Sequence, residues 1–543
     1  MIKASNLAWH QAWGVPVRTS SRILWNAVSK WLATIANAGM TLLLVPFLLI
    51  KLGTEGFGLS ALVGVIVSLS AVADLGLQAA LTRQLSAELH RKDARRYEEL
   101  YASAMSLYII IALTVGCLCV IFARPMARLF NVSEELMPQA VFIIRYYSSL
   151  AVFISLIRPA YASVLASHDR FDLLNHAGTA VNIIRGVLLL AVLGFTGTGL
   201  YGWAAVCFAC SLLELVMLRQ IARRLRPGLK VRLGLVRGSA VKCLFSMGGY
   251  FTLIKIIGML GVHSDPIVLT TYLGPAAVAL YRPPGQLSGL ARAFVLAMSQ
   301  QLHPLATKYH VTGDKEALHA ILIRGTRFTF LIGIGACGFL MIFSEPVMAI
   351  WLGKELGQQY TVAAWLLVLF AVSDLCEYAG GSQGPIMVGM NLLRFPTLMN
   401  LPLAAANLVG SILLVKYSSL GALGVLVPTV VCFAIRRVIE TVYMSMVTGV
   451  GLMRYLRGAY AWPTVVLAIM LAGGGTLRAF WRPGNIPQLA LAAVGTMVVW
   501  AMLCWWIGFG PEDRRSFRGL VAKLRSRGAS AVKPAQEAVT VEE

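Results

Sequence analysis

Apolar residues run along this chain in blocks of 19 to 30 positions, separated by short polar breaks, from about residue 24 to residue 508. A helix needs about 20 apolar residues to cross a bilayer, and every block meets or approaches that length. The blocks predict fourteen spans, at 24–50, 57–80, 100–123, 139–166, 175–195, 200–218, 243–263, 276–302, 326–344, 361–390, 397–415, 421–443, 462–480 and 487–508. Runs this long are expected to be helices, because unpaired backbone groups cannot face lipid, and the ten-residue alternation of barrel strands is absent. The first block is too long for a signal-peptide core and has no small-residue cleavage pattern behind it, so it is expected to be retained.

Composition agrees with an all-α polytopic membrane protein. The 543 residues are 58% hydrophobic and 13% charged, with a mean hydropathy of +0.73, where globular domains carry about 25% charged residues. No soluble domain of useful size is expected. The nine cysteines fall within or at the edge of apolar blocks, as small packing residues do. CFAC at 207–210 has a redox or zinc spacing but no second pair nearby, so neither a metal site nor a cofactor is expected.

Charge sets the expected orientation, since cytoplasmic loops are enriched in Lys and Arg. With the N-terminus inside, the cytoplasmic segments hold 33 of these residues and the outer segments seven. The densest run, RRLRPGLKVRLGLVRGSAVK at 223–242, becomes an inner loop. A net charge of +23 then records topology and contact with anionic headgroups. Nucleic acid is not an expected partner, because the basic run lacks interleaved aromatics for stacking. Membrane lipids are.

Sliding the chain on itself by 221 residues pairs Leu52-Gly53 with Leu273-Gly274, Leu59 with Leu280, Asp93 with Asp314, Pro125 with Pro346 and Phe130 with Trp351. With small gaps, Asn182 pairs with Asn407, and GLYG at 199–202 with GALG at 421–424. A repeat of six spans enters the membrane twice in the same orientation, which predicts a parallel repeat about the membrane normal. The expected organisation is an N-terminal lobe at 1–218, a basic cytoplasmic linker at 219–242 and a C-terminal lobe at 243–443. Two extra helices at 444–508 and a cytoplasmic tail at 509–543 complete it.

The segment LGTEGFGLSALVGVIVSLSAVADLGLQAALTRQLSAELHRKD resembles the first loop and second helix of the polysaccharide transporter, or O-antigen flippase, family. That family lies within the multidrug/oligosaccharidyl-lipid/polysaccharide exporter superfamily. The residues that carry the likeness are Leu52-Gly53, Gly56, Gly58, Asp74-Leu75-Gly76, Arg83 and Asp93. SDPIVLTTYLGPAAVALYRPPGQL is similar to the family's seventh helix and following loop, with Asp265, Leu273-Gly274 and Tyr281. Pro283-Pro284 departs from that pattern. The resemblance implies movement of an undecaprenyl-pyrophosphate-linked oligosaccharide across the bacterial inner membrane by alternating access, with both termini cytoplasmic and no reaction catalysed. A polysaccharide polymerase and export machinery are the implied further partners. Two other readings stay open: a multidrug/cation antiporter of the same superfamily, whose cavity would be rich in acids and aromatics, and a membrane glycosyltransferase or polymerase. The last would need catalytic acids on a sizeable outer loop, and the loops at 124–138 and 345–360 are short.

Seven cations fall inside the spans: Lys30, Arg145, Arg158, Arg185, Lys255, Arg282 and Arg292. Each costs about 2.5–3.5 kcal/mol at mid-helix on insertion scales, so such residues face a cavity or a partner. Snorkelling towards a helix end is expected for Lys30, Arg158 and Arg292. The candidates for contact with the substrate headgroup are Lys255 and Arg282, which lie on helices expected to border the cleft, followed by Arg145, Arg185 and Lys30. Asp74, Asp374 and Glu377 are candidate coupling or structural acids; Asp374 and Glu377 share a helical face. Glu440 is expected to pair with Arg436 and Arg437 at a helix end.

The orientation is tested by single cysteines in a cysteine-free background. An impermeant thiol reagent applied to intact cells is expected to label positions 130, 350 and 480 and to spare positions 230 and 520. Labelling at 230 would reverse the topology.

Overall fold

In a computed structural model of the chain, the described residues are 17–74, 76–227, 235–244, 264–300, 302–392, 394–510 and 513–514. Nearly all of them are helical, and none lies in a strand. Helix α1 (Val17–Leu69) carries the first expected span and most of the second, which meet at Gly53, where φ is 71°. Glycine takes that left-handed conformation without the Cβ penalty of other residues. The second span does not continue straight to residue 80. After a 3-10 turn at Ser70–Val72 the chain breaks and restarts as α2 (Leu77–Arg91), with Gly76 left-handed at φ 71°.

The first half continues through α3 (Ala94–Leu129), α4 (Met137–Ser167), α5 (Phe171–Phe195) and α6 (Gly199–Leu225). After a helical stretch at 264–273 come α7 (Pro275–Ser299), α8 (Leu302–Thr312), α9 (Lys315–Ile342) and α10 (Ser344–Leu356). Next are α11 (Tyr360–Tyr378), α12 (Gln383–Gly389), α13 (Arg394–Tyr417) and α14 (Gly421–Thr448). The last two are α15 (Leu452–Phe480) and α16 (Ile486–Gly508).

Eleven of the described helical runs are long and apolar enough to cross a membrane, so the expected fourteen are not reached among the described residues. Three local causes account for the difference. The first two spans follow each other with no loop between them, divided only by the non-helical backbone of Gly53. The span expected at 243–263 lies outside the described residues after residue 244. Helix α7 is long enough, at 25 residues, but carries two arginines and two internal prolines.

Local geometry recurs with the 221-residue shift. Gly53 and Gly274 are both left-handed (φ 71° and 83°), as are Lys92 and Gly313 (φ 60° and 71°). The Asp93 carboxylate caps α3 by accepting from Arg96 N at 2.9 Å, and Asp314 caps α9 by accepting from Ala317 N at 3.0 Å. Asp suits this position because its side chain satisfies an amide that a helix start leaves unpaired. One residue off that shift, Gly199 and Gly421, which open α6 and α14, have φ of 52° and 54°.

Packing joins α3 to α4, α5 to α6 and α4 to α6 in the first half, and α11 to α7, α9 and α14 in the second. Helices α15 and α16 lie against α9. The two halves meet chiefly where α1 packs on α7. The approach is close: a Cβ on Gly58 would fall 1.8 Å from the Pro275 carbonyl oxygen, so only glycine fits.

A buried polar cluster ties α11, α12 and α14 together. Arg437 donates to Gln383 Oε1 at 2.6 Å, Glu440 at 3.0 Å, the Cys376 carbonyl at 2.8 Å and the Glu377 carbonyl at 3.1 Å. Arg436 pairs with Glu440 at 2.9 Å and Glu377 at 3.3 Å. Glycine at 380 is required here, since a Cβ there would sit 1.4 Å from Arg437 Nη1. Removing one side of a buried ion pair leaves the other charge uncompensated, at a cost of about 3–5 kcal/mol. Arg437→Met is therefore expected to lower the thermal midpoint of the purified protein strongly, and Arg437→Met combined with Glu440→Gln should recover part of the loss. An unchanged midpoint in Arg437→Met would show that the cluster does not hold these helices.

Candidate functional site

The break in the second span opens onto a cavity of about 560 Å³ bounded by α1, α2, α4, α5, α6 and α7. Three cations line it, Arg158, Arg185 and Arg282, together with the acids Asp74 and Glu214 and the amides Gln78 and Gln286. Broken helices put backbone polar groups at membrane depth, which is tolerated where they are buried in protein or line a water-filled cavity.

Asp74 sits at the break. Its carboxylate accepts from Tyr108 OH at 2.5 Å and from Gln78 N at 3.1 Å, the second bond satisfying an amide at the start of α2. Arg158 does not snorkel: it crosses from α4 to α6 and pairs with Glu214 at 2.9 Å. A lipid-facing cation needs a long path to the headgroups, whereas a carboxylate facing the same cavity neutralises it directly. Arg185 donates to Asn182 Oδ1 at 3.2 Å, and Asn182 donates to Asn37 Oδ1 at 3.1 Å, which orients the arginine from α5 towards α1. Its Nε is buried without a hydrogen-bond partner.

Arg282 projects from α7 into the same space. No other described residue gives it a hydrogen bond or an ion pair. Gly64 on α1 lies beside it, where a Cβ would stand in ordinary contact, 3.8 Å from the guanidinium. The acids around it are engaged: in the cavity wall Asp74 accepts from Tyr108 and Gln78, and Glu214 pairs with Arg158. Asp265 accepts from Tyr281 OH at 2.9 Å, and Asp374 accepts from Arg292 Nε at 2.8 Å and from Ser288. Arg292, expected to snorkel, is thus held by Asp374 inside the protein.

The other candidates lie elsewhere. Arg145 falls on a π-helical turn, Ile143–Ser148, away from the cavity lining, with its Nε buried and unpartnered. Glu377 belongs to the Arg436–Arg437 cluster. Lys255 lies outside the described residues, and the Lys30 side chain is not among those described. Gln286 was not singled out from the sequence. It follows Arg282 by one helical turn and lines the cavity with a buried Oε1 that has no partner; the i, i+4 spacing from Arg282 is the signal that could have found it.

Known proteins share both the sequence pattern and the fold. A relative from Salmonella typhimurium, named for O-antigen transport, is 23% identical over 75% of this chain and 93% of its own length. A probable low-salt glycan biosynthesis flippase of Haloferax volcanii is 21% identical over 91% of this chain and 98% of its own. Among solved structures, the lipid II flippase MurJ in an inward closed conformation superposes with a TM-score of 0.69 at 12% identity. That likeness covers 89% of this chain and 98% of MurJ. The profile of the polysaccharide biosynthesis protein family matches residues 23–310. That match takes in more than half of the chain, including the broken second span and Arg282, and it places the chain in the polysaccharide biosynthesis protein family.

Proposed function

We propose that this protein is a flippase that carries an undecaprenyl-pyrophosphate-linked oligosaccharide across the bacterial inner membrane by alternating access, forming and breaking no bond. The observation that carries this reading is Arg282: a guanidinium in a membrane-embedded cavity with no partner among the described residues. A cation kept unpaired in such a place suits an anion that arrives and leaves. Pyrophosphate accepts charge-assisted hydrogen bonds, which are shorter and about twice as strong as neutral ones, and arginine can offer them in pairs. Arg185 adds a second cation to the same wall, and Gln78 and Gln286 offer amides to sugar hydroxyls. The names of the Salmonella and Haloferax relatives point to the same substrate class.

In this reading the chain works as two lobes, 1–218 and 243–443, joined by the basic cytoplasmic linker at 219–242. The helices at 444–508 are an appendage, followed by a tail at 509–543. The left-handed glycines and aspartate caps that recur across 221 residues support it. Both termini are cytoplasmic, and a polysaccharide polymerase and export machinery receive the product. Lys255 and Lys30 remain candidate headgroup contacts on the same grounds of charge and position. Asp74 serves the structure as the cap of α2.

Cells lacking the protein are expected to make the lipid-linked oligosaccharide and hold it on the cytoplasmic leaflet, as followed with radiolabelled lipid intermediates. Failure to make the linked sugar at all would point to a glycosyltransferase instead.

Arg282→Ala should reduce polysaccharide export by at least about tenfold at unchanged membrane abundance, and Arg282→Lys should restore part of it, since lysine keeps the charge without the fork. Wild-type export by Arg282→Ala would remove this residue from the site.

A further inference from the structure

Residues 42–46 of α1 read Leu-Leu-Leu-Val-Pro. In an α-helix each carbonyl takes the N–H four residues ahead, and Pro46 has none to give, so the Leu42 carbonyl is left without a helical donor. The donor comes from far away in the chain. Trp351, on α10, gives its indole Nε1–H to the Leu42 oxygen at 3.0 Å across 309 residues of sequence. Indole N–H is a donor only, and a carbonyl freed by proline is an acceptor with nothing else in its own helix to take.

The bond joins the two halves on one side of the molecule. On that side a Cβ at Gly58 would collide with the Pro275 carbonyl, and one at Gly274 would meet the Asn131 carbonyl at 3.5 Å. These positions belong to, or adjoin, the loops that the charge pattern assigns to the outer face. The cavity lies behind them, with Thr41, Leu44, Val45 and Leu48 of the same α1 turns in its wall. One stretch of helix therefore faces the substrate space with its side chains and holds the opposite half through its backbone.

We infer that Trp351 is the latch of the outward-closed state: its indole holds α10 on the carbonyl that Pro46 frees in α1, and opening the cavity to the outside requires this bond to break. The inference rests on the alternating-access reading above. Leu42 is 41% exposed, on a helix expected to face hydrocarbon. Where lipid rather than water faces the bond, breaking it leaves a donor and an acceptor unpaired together. Trp351 acts through the backbone of α1 and is a positioning residue, with no contact to the substrate required of it.

The test uses the full chain in intact cells, cysteine-free except for Ser60→Cys, a cavity position just behind the Gly58 contact. An impermeant thiol reagent applied from outside reads how often the outer side opens. Trp351→Phe keeps an aromatic ring but loses the N–H with the rest of the indole, and it should raise the labelling rate about three- to tenfold, the range expected of one interhelical hydrogen bond. Pro46→Ala returns an N–H to the Leu42 carbonyl and should raise the rate by a similar factor without touching the tryptophan. In the Pro46→Ala background, Trp351→Phe should then add nothing. An unchanged rate in either single variant at normal abundance, or full additivity in the double, overturns the latch and leaves Trp351 an interfacial aromatic. Should Trp351→Phe fail to reach the membrane, the Pro46→Ala rate decides alone. Labelling needs no substrate, so the latch stands or falls separately from export: lost export with unchanged labelling counts against the latch and not against the flippase.

Discussion

A polar group in hydrocarbon has no water to fall back on, and most of what distinguishes this structure follows from how each such group is satisfied. Arg292 is met by Asp374, Arg436 and Arg437 by Glu377 and Glu440, and Arg158 by Glu214. Apart from the Glu440 pairs, which lie within α14, these pairs join helices that are distant in sequence, so the cost of burying each charge also fixes which helices are neighbours. The Leu42 carbonyl obeys the same rule at the level of the backbone. Pro46 removes its helical donor, and an indole from the other half of the chain replaces it.

Against this pattern Arg282 is conspicuous. The acids on its own side and in the cavity wall are already engaged, Asp265 by Tyr281, Asp374 by Arg292, Asp74 by Tyr108 and Glu214 by Arg158. A cation without a counter-ion is tolerable where a cavity admits water or ligand, and α7 directs Arg282 into such a cavity. The broken second span contributes from the facing side, where Asp74 takes the first free amide of α2 and the Tyr108 hydroxyl. Cation, broken helix and open volume belong together. Each alone would be unfavourable in lipid, and together they form a polar chamber that an anionic headgroup suits.

Much of the fold was legible from residue type and spacing. Twelve of the fourteen expected spans, all but the second and the one at 243–263, have helices close to their predicted positions, because continuous apolar runs admit few other structures in a bilayer. The recurring glycines at 53 and 274 and the aspartates at 93 and 314 could be read at a constant offset, since each has a local job that one residue type performs well. The interruption of the second span was not read correctly. Its sequence remains apolar past Leu69, where the helix ends, and the bond from Gln78 N to Asp74 marks only where the chain restarts as α2.

For the site, residue type and position were enough to show that charges lie inside the membrane, which ones they are, and that such charges require either a partner or a cavity. The sequence placed Arg282, Arg185 and Asp74 among the candidates for that reason. Which requirement each one meets depends on how the helices pack. Arg158 and Arg292 both looked free to snorkel, yet their partners lie 56 and 82 residues away in the chain, and Arg145 proved to be outside the cavity altogether. Pairing across such distances depends on helix rotation and packing, which a periodic apolar pattern leaves open: hydrophobicity drives a helix into the bilayer, but close packing and hydrogen bonding choose the face it turns to its neighbours.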